Sequence, residues 1–332
     1  MPDLSVRLGE VELKNPVLCG SGEPTMTLEG LRAAIDAGAA AVVAKSANES
    51  DAARRQLAAA HYVLLDESWR ELEWGPAPRS ASLFNRSGLA PQPFGQWLEI
   101  LAEADGYARE HDAYVVASLI VGDVEEAASL AREIEAAGLR WLELNVGAPH
   151  AEEATVGAIR AGAELVEPVR AATSLPLTVK LPGQGDVLGL VEAVREAGAD
   201  HVCLAGRSLA FLPDLATRRP VLGTFGAIGG AWALPLTLRW IAKARARFGP
   251  DVPIVGTNGA RDGADVARFL LTGATAVELT TAVMTDGFGA LTRSLDELSR
   301  YLDAQGVTAT ELIGEAADAV MTYEEVAVRR DG

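Results

Sequence analysis

Lys45 and Lys180 are the residues from which chemistry can first be argued. The chain has four lysines within its 29 basic residues, the other two being Lys14 and Lys243. Lys45 closes the run Ala40-Ala41-Val42-Val43-Ala44, and Lys180 closes Leu177-Thr178-Val179. A compact ammonium ending a buried strand is costly unless something specific pairs with it. At the carboxyl ends of parallel barrel strands, where reactions are carried out, two such groups facing one pocket suit an electron-rich, anionic cofactor. A lysine paired with a neighbouring carboxylate is the plain alternative for either one.

The elements that must position them alternate. Short β-branched runs at 17–21, 41–45, 114–119, 141–145, 177–181, 201–205, 253–257 and 276–280 read as strands covered on both faces. Segments of helical period follow at about 27–37, 94–109, 123–137, 157–171, 186–197, 232–248, 262–272 and 286–304. This order predicts a TIM (β/α)8 barrel formed as one domain over 1–332. Ala37-Gly38-Ala39, Ala197-Gly198-Ala199 and Gly273-Ala274 each place an αL-capable glycine between helix and strand. Leu4 to Leu13, with a Gly9-Glu10 turn, reads as a hairpin plugging the barrel bottom. Residues 46–93 and 206–231 are too long for plain βα loops and are expected as lids or interface elements at the active end.

Composition narrows the class. A net charge of −17 argues against nucleic-acid and anionic-membrane partners. Cys19 and Cys203, the only cysteines, form no disulfide framework and fit a reducing cytosol. No apolar stretch approaches a membrane span, and Met1-Pro2-Asp3-Leu4 does not open a signal peptide, so a cytoplasmic setting is expected. His61, His111 and His201 have no metal-ligand spacing, and no metal site is expected.

Several local patterns fall at strand ends or in the long loops. They are Cys19-Gly20-Ser21-Gly22, Lys45-Ser46, Asn85-Arg86-Ser87-Gly88-Leu89, Glu143 through His150, and Val179-Lys180-Leu181-Pro182. Gly226-Ala227-Ile228-Gly229-Gly230, Gly256-Thr257-Asn258-Gly259 and Leu279-Thr280-Thr281 follow. In this order they resemble the dihydroorotate dehydrogenase family of FMN-dependent barrels, especially its soluble class 1 branch, from about Leu4 to Ala304. The resemblance implies FMN as cofactor and a homodimer. It places Lys180 against the flavin N1 and C2 carbonyl, where an ammonium stabilises the reduced ring. Lys45 lies beside the ring and reaches substrate; Gly20, Ser21 and Ser46 run along the flavin; Asn145 bonds the ring edge or substrate. Gly229, Gly230, Gly256, Asn258, Gly259, Thr280 and Thr281 form the phosphate end, where glycines admit backbone N–H groups and hydroxyls add donors. Asn85, with Ser87, Gly88 and Leu89, belongs to the substrate loop.

The departures bear on substrate. The family's loop after strand four reads roughly Asn-Leu-Ser-Cys-Pro-Asn, with a Cys or Ser base. Here the base position is Ala148, whose methyl group transfers no proton. His150 stands two residues on, with an ordinary pKa suited to acid/base work, so His150, Lys45 and Asn145 are the candidate catalytic residues. The family's substrate-holding Asn-Ser pair falls on Gly206-Arg207, and Arg207 suits a carboxylate or phosphate.

These residues imply an FMN-dependent oxidoreductase acting on a small cyclic or carboxylated substrate other than dihydroorotate, with an electron partner the residues do not identify. The alternatives are a true dihydroorotate dehydrogenase using His150 as base, an FMN-binding protein without turnover, and an aldolase forming a Schiff base on Lys180.

Overall fold

The computed structural model describes residues 2–48, 60–120, 123–146 and 158–330. The chain opens with an antiparallel hairpin, β1 (Val6–Leu8) and β2 (Val11–Leu13), whose valines and leucines are buried while Arg7 and Glu12 face out. Eight parallel strands then close a barrel: β3 (Val17–Cys19), β4 (Ala41–Val43), β7 (Tyr114–Leu119), β8 (Leu142–Asn145), β9 (Leu177–Lys180), β10 (His201–Leu204), β15 (Ile254–Gly256) and β16 (Ala276–Leu279). β16 returns to pair with β3, so no edge is left. The architecture is the (β/α)8 barrel expected from the alternating pattern.

Helices Leu28–Asp36, Phe94–Glu110, Val124–Ala136, Ala158–Ala172, Val187–Glu196, Leu234–Phe248, Gly263–Thr272 and Gly289–Gln305 lie where the helical spacing put them. Thr27, Asp123, Asp186 and Asp262 cap four of them by accepting a backbone N–H three residues on. Gly38, Gly198 and Gly273 turn into the next strand at φ of 98°, 102° and 110°, a region that penalises any side chain. None of the described helices is long and apolar enough to cross a membrane.

The two long connections are not independent loops. From the first come β5 (His61–Leu65) and β6 (Ser82–Arg86); from the second come β11 (Ser208–Ala210), a small ribbon of β12 (Pro213–Asp214) and β13 (Arg219–Pro220), and β14 (Gly226–Gly230). They interleave as an antiparallel sheet in the order β11–β14–β6–β5. Its period of two sorts the side chains. Val63, Phe84 and Ile228 share one row and pack with Leu65 and Leu222 in a small apolar cluster; Tyr62, Asn85 and Ala227 share the next row, on the opposite face.

Inside the barrel the same period stacks side chains in layers. Trp141 Nε1 donates to Thr178 Oγ1 (2.8 Å), and that hydroxyl lies 3.1 Å from His201 Nδ1. Gly9, at the hairpin turn, comes so close that a Cβ there would stand 3.0 Å from His201 Nε2, so the hairpin closes this end of the barrel. Burial holds the His201 pKa down at about 4, against an ordinary 6.5. The folded state therefore keeps the ring neutral while the unfolded chain protonates it. That contribution is complete above about pH 6.5 and is lost as pH falls towards 4, amounting to about 3 kcal/mol. Urea unfolding between about pH 7.5 and 4.5 should show this loss in the native protein and a shallower one in His201→Gln; parallel curves would show that His201 is not the group responsible.

Candidate active site

The layer above His201 is polar. Glu143, Lys180, Cys203 and Glu278 come from β8, β9, β10 and β16 at positions two residues beyond the bottom layer. Lys180 Nζ donates to Glu278 Oε2 at 2.5 Å and lies 3.9 Å from Glu143 Oε2. Glu143 also accepts from Ser118 Oγ (3.0 Å), which is 2.8 Å from Ser46 Oγ. Burial alone would depress Lys180, but the two carboxylates reverse this and hold it well above its ordinary value. Burial drives Glu143 up to about 7; Lys180 opposes that rise and Glu278 adds to it. Glu143, Cys203 and Glu278 bring potential ligand atoms within 4.8 Å of one another, yet the Lys180 ammonium is the cation of this cluster. Burial, then Glu278, pushes the Cys19 thiol up to about 12 and Cys203 well above its usual range, so both are inert core groups rather than nucleophiles.

Over this layer, at the carboxyl ends of the strands, lie two compartments that share part of their lining. Ser21, Lys180, Gly206 and Arg207 line both. The first is completed by Lys45, Ser46, Asn85, Ser87, Gly88 and Asn145, and the second by Gly230, Asn258, Gly259, Arg261, Thr280 and Thr281. The two lysines thus face one cavity, as their positions at strand ends predicted. The alternative holds too, for each has a carboxylate partner. Lys45 Nζ donates to Glu23 Oε1 (2.7 Å) and lies 3.4 Å from the Tyr62 hydroxyl. Burial lowers the Lys45 pKa, Glu23 restores part of it, and Arg207 pushes it down again.

Arg207 is the cation of the first compartment without such a partner. Its Nη1 donates to Asn85 Oδ1 at 2.6 Å, and among the described residues no carboxylate forms an ion pair with it. Asn85 Nδ2 is buried with no hydrogen-bond partner among the described residues, so a charged fork and an unanswered amide donor stand together here. An anion with a second acceptor meets both needs.

Other expected site residues stand behind the lining. Gly20 packs on β16, where a Cβ would be 2.1 Å from Thr280 Oγ1; Gly229 packs on Asn258 and Arg207, and Gly256 on Phe269. Leu89 is 5% exposed and is not among the residues that line the cavity. Ala148 and His150 lie outside the described residues. Glu143, Glu278, Glu23, Tyr62 and Arg261 were not expected. The two strand glutamates had a legible signal, a carboxylate within an apolar run, in Leu142-Glu143-Leu144 and Val277-Glu278-Leu279. Tyr62 had none: it is aimed by the pairing of β5 with β6, which sets it opposite Asn85.

The lining suits a phosphate-tailed cofactor. Lys180 lines both compartments, and Arg261, whose buried Nε has no partner among the described residues, lines the one that holds Thr280 and Thr281.

Comparison with known proteins agrees with this geometry. The sequence profile described as Dihydroorotate dehydrogenase matches residues 74–302. The chain is 32% identical to a protein of Pyrococcus abyssi described as dihydroorotate dehydrogenase B (NAD(+)), catalytic subunit, covering 94% of this chain and 99% of the relative. A Pyrococcus furiosus protein of the same description is 30% identical, covering 94% and 98%. A protein of Solibacter usitatus described as a putative dihydroorotate dehydrogenase A (fumarate) is 29% identical, covering 94% and 98%.

Proposed function

The chain belongs to the dihydroorotate dehydrogenase family, whose members are FMN-dependent oxidoreductases acting on CH–CH bonds, and on that premise we propose that it binds FMN across the two compartments and acts on a small carboxylated substrate held by Arg207. The observation that carries the substrate half is the charge balance of the cavity. Lys45 and Lys180 each meet a carboxylate, whereas among the described residues Arg207 forms no ion pair and donates to the Asn85 amide oxygen.

When bound, the flavin supplies the hydride acceptor or donor. The chain's own groups do the rest. Lys180, fixed by Glu278 and Glu143, presents an ammonium that stays protonated against the cofactor. Asn258, Gly259, Thr280 and Thr281 take the phosphate end. Arg207 receives the substrate carboxylate with its fork oriented by Asn85, while Lys45 and Asn145 bear on the same compartment. Proton transfer at substrate carbon requires a basic group, which Ala148 lacks and His150 has.

Dihydroorotate itself is one reading, supported by relatives of that name aligned along 94% of the chain, with His150 as base. A different carboxylated molecule is the other, favoured by Ala148 and by an arginine where the resemblance implies an Asn-Ser pair. Anaerobic mixing of FMN-loaded protein with dihydroorotate separates them. Bleaching of the flavin spectrum selects the first. A flavin that resists dihydroorotate but is bleached by another carboxylated donor selects the second. A protein that cannot be loaded with FMN ends both. The relatives' names carry NAD(+) with a catalytic subunit in one case and fumarate in another, so a further chain or a diffusible acid is the proposed electron acceptor. Reoxidation of the bleached protein by each tests this, and light scattering tests the homodimer.

A further inference from the structure

We propose that Arg261 receives the phosphate of the flavin nucleotide and makes this site select a phosphorylated flavin over an unphosphorylated one. The inference rests on the FMN reading above and adds a residue to it.

Three cations line the second compartment, and two of them, Lys180 and Arg207, also line the first. Arg261 lines the second alone, so it marks the end away from the substrate. Its side chain is 9% exposed, and its Nε is buried with no hydrogen-bond partner among the described residues. The contacts that Nη2 makes are modest. It donates to the Ala77 carbonyl at 3.2 Å and reaches Asp286 Oδ1 only at 3.5 Å. Asp286 is closer to another cation, Arg293, at 3.1 Å. Nearby Asp265 is no counterion for the guanidinium either. It accepts the Arg261 backbone N–H at 3.0 Å and is paired with Arg79 and Arg268.

A buried guanidinium with an idle N–H is costly unless an acceptor arrives. The acceptor must be anionic, must offer more than one oxygen, and must fit among hydroxyls. A phosphate monoester meets all three conditions, since the fork of arginine matches its oxygens. Thr280 and Thr281 line the same compartment, and Asn258 stands beside them. At Gly259 a Cβ would be 2.6 Å from Leu234 Cα, so the strand-end turn is locked against the next helix rather than free to move away from Arg261. The guanidinium is thereby held beside a rigid polar cradle. Riboflavin lacks the phosphate and would leave the idle N–H unanswered.

The test is a fluorescence titration of the full-length, flavin-free protein with FMN and with riboflavin. The native protein should prefer FMN by tenfold or more, on the order of one charge-assisted hydrogen bond. Arg261→Gln should lose most of that preference by weakening FMN while leaving riboflavin within about twofold. Arg261→Lys keeps the charge without the fork and should fall between; it carries the test if Arg261→Gln melts early. Native protein that binds neither flavin defeats the FMN reading as a whole. Native protein that binds both equally, or an Arg261→Gln that weakens both alike, overturns the role of Arg261 and leaves the FMN reading standing.

Discussion

Lys180→Met is expected to cost about 3–5 kcal/mol of folding stability at mildly alkaline pH, before any cofactor is added. The reason lies in what is left behind. Glu143 and Glu278 are each 1% exposed in their side chains, and Lys180 is the cation that both of them face. Removing it leaves two carboxylates side by side in a largely buried layer, with no other described cation in an ion pair with either. The sign of the pH dependence follows. In the native protein Glu143 titrates near 7, above its ordinary 4.5, so its stabilising contribution is complete below about 4.5 and lost as pH rises through 7. Without the ammonium, which holds its pKa down, Glu143 favours its protonated form still more. The deficit of the variant should therefore be largest near pH 8 and shrink near pH 5. Glu278→Gln placed in the same chain should recover most of it, because the remaining glutamate then has no like charge beside it. Chemical unfolding of the flavin-free protein at both pH values reads all of this. A deficit below about 1 kcal/mol at pH 8, or no recovery in the double variant, would mean that Lys180 is not the counterion of this layer.

Arg207→Ala is expected to lower kcat/KM on the order of 100-fold for a carboxylated substrate, since truncating one partner of a buried, hydrogen-bonded charge pair costs about 2–5 kcal/mol. FMN affinity should change far less, because Lys180 and the strand-end groups of β15 and β16 remain. A carboxamide analogue gives the sharper reading. The native enzyme should prefer the carboxylate, and the variant should lose the preference by turning over the acid less well while the amide changes little. Arg207→Lys should restore only part, because an ammonium lacks the fork that Asn85 orients. A secondary sign is available at Lys45, whose pKa Arg207 depresses; the variant should bring it back towards the ordinary lysine range. If kcat/KM stays within threefold while FMN binding collapses, Arg207 serves the cofactor and the substrate assignment fails.

Much of the scaffold was legible because it is written locally. The apolar runs at 17–21, 41–45, 114–119, 141–145, 177–181, 201–205, 253–257 and 276–280 all contain barrel strands, since a strand covered on both faces needs a short continuous run and little else. The helices obeyed their spacing for the same reason. The lining that Gly259, Thr280 and Thr281 give the second compartment was legible because these residues directly follow two of those strands. Leu89 lies outside the cavity lining, and a motif gives the order of residues in a loop but not the direction each one faces. The base remains a matter of sequence alone, as Ala148 and His150 lie outside the described residues.

What the sequence determined by itself was the barrel and which strand ends could bear chemistry, both set by short-range periodicity and by neighbours along the chain. What only the tertiary structure decided was who answers those charges. Lys180 and Glu278 are 98 positions apart, and Arg207 and Asn85 are 122 apart. Such pairs are set by closure of the barrel and by interleaving of two distant loops into one sheet. No local pattern encodes which buried carboxylate will face which ammonium, because that depends on the register in which strands from opposite halves of the chain meet.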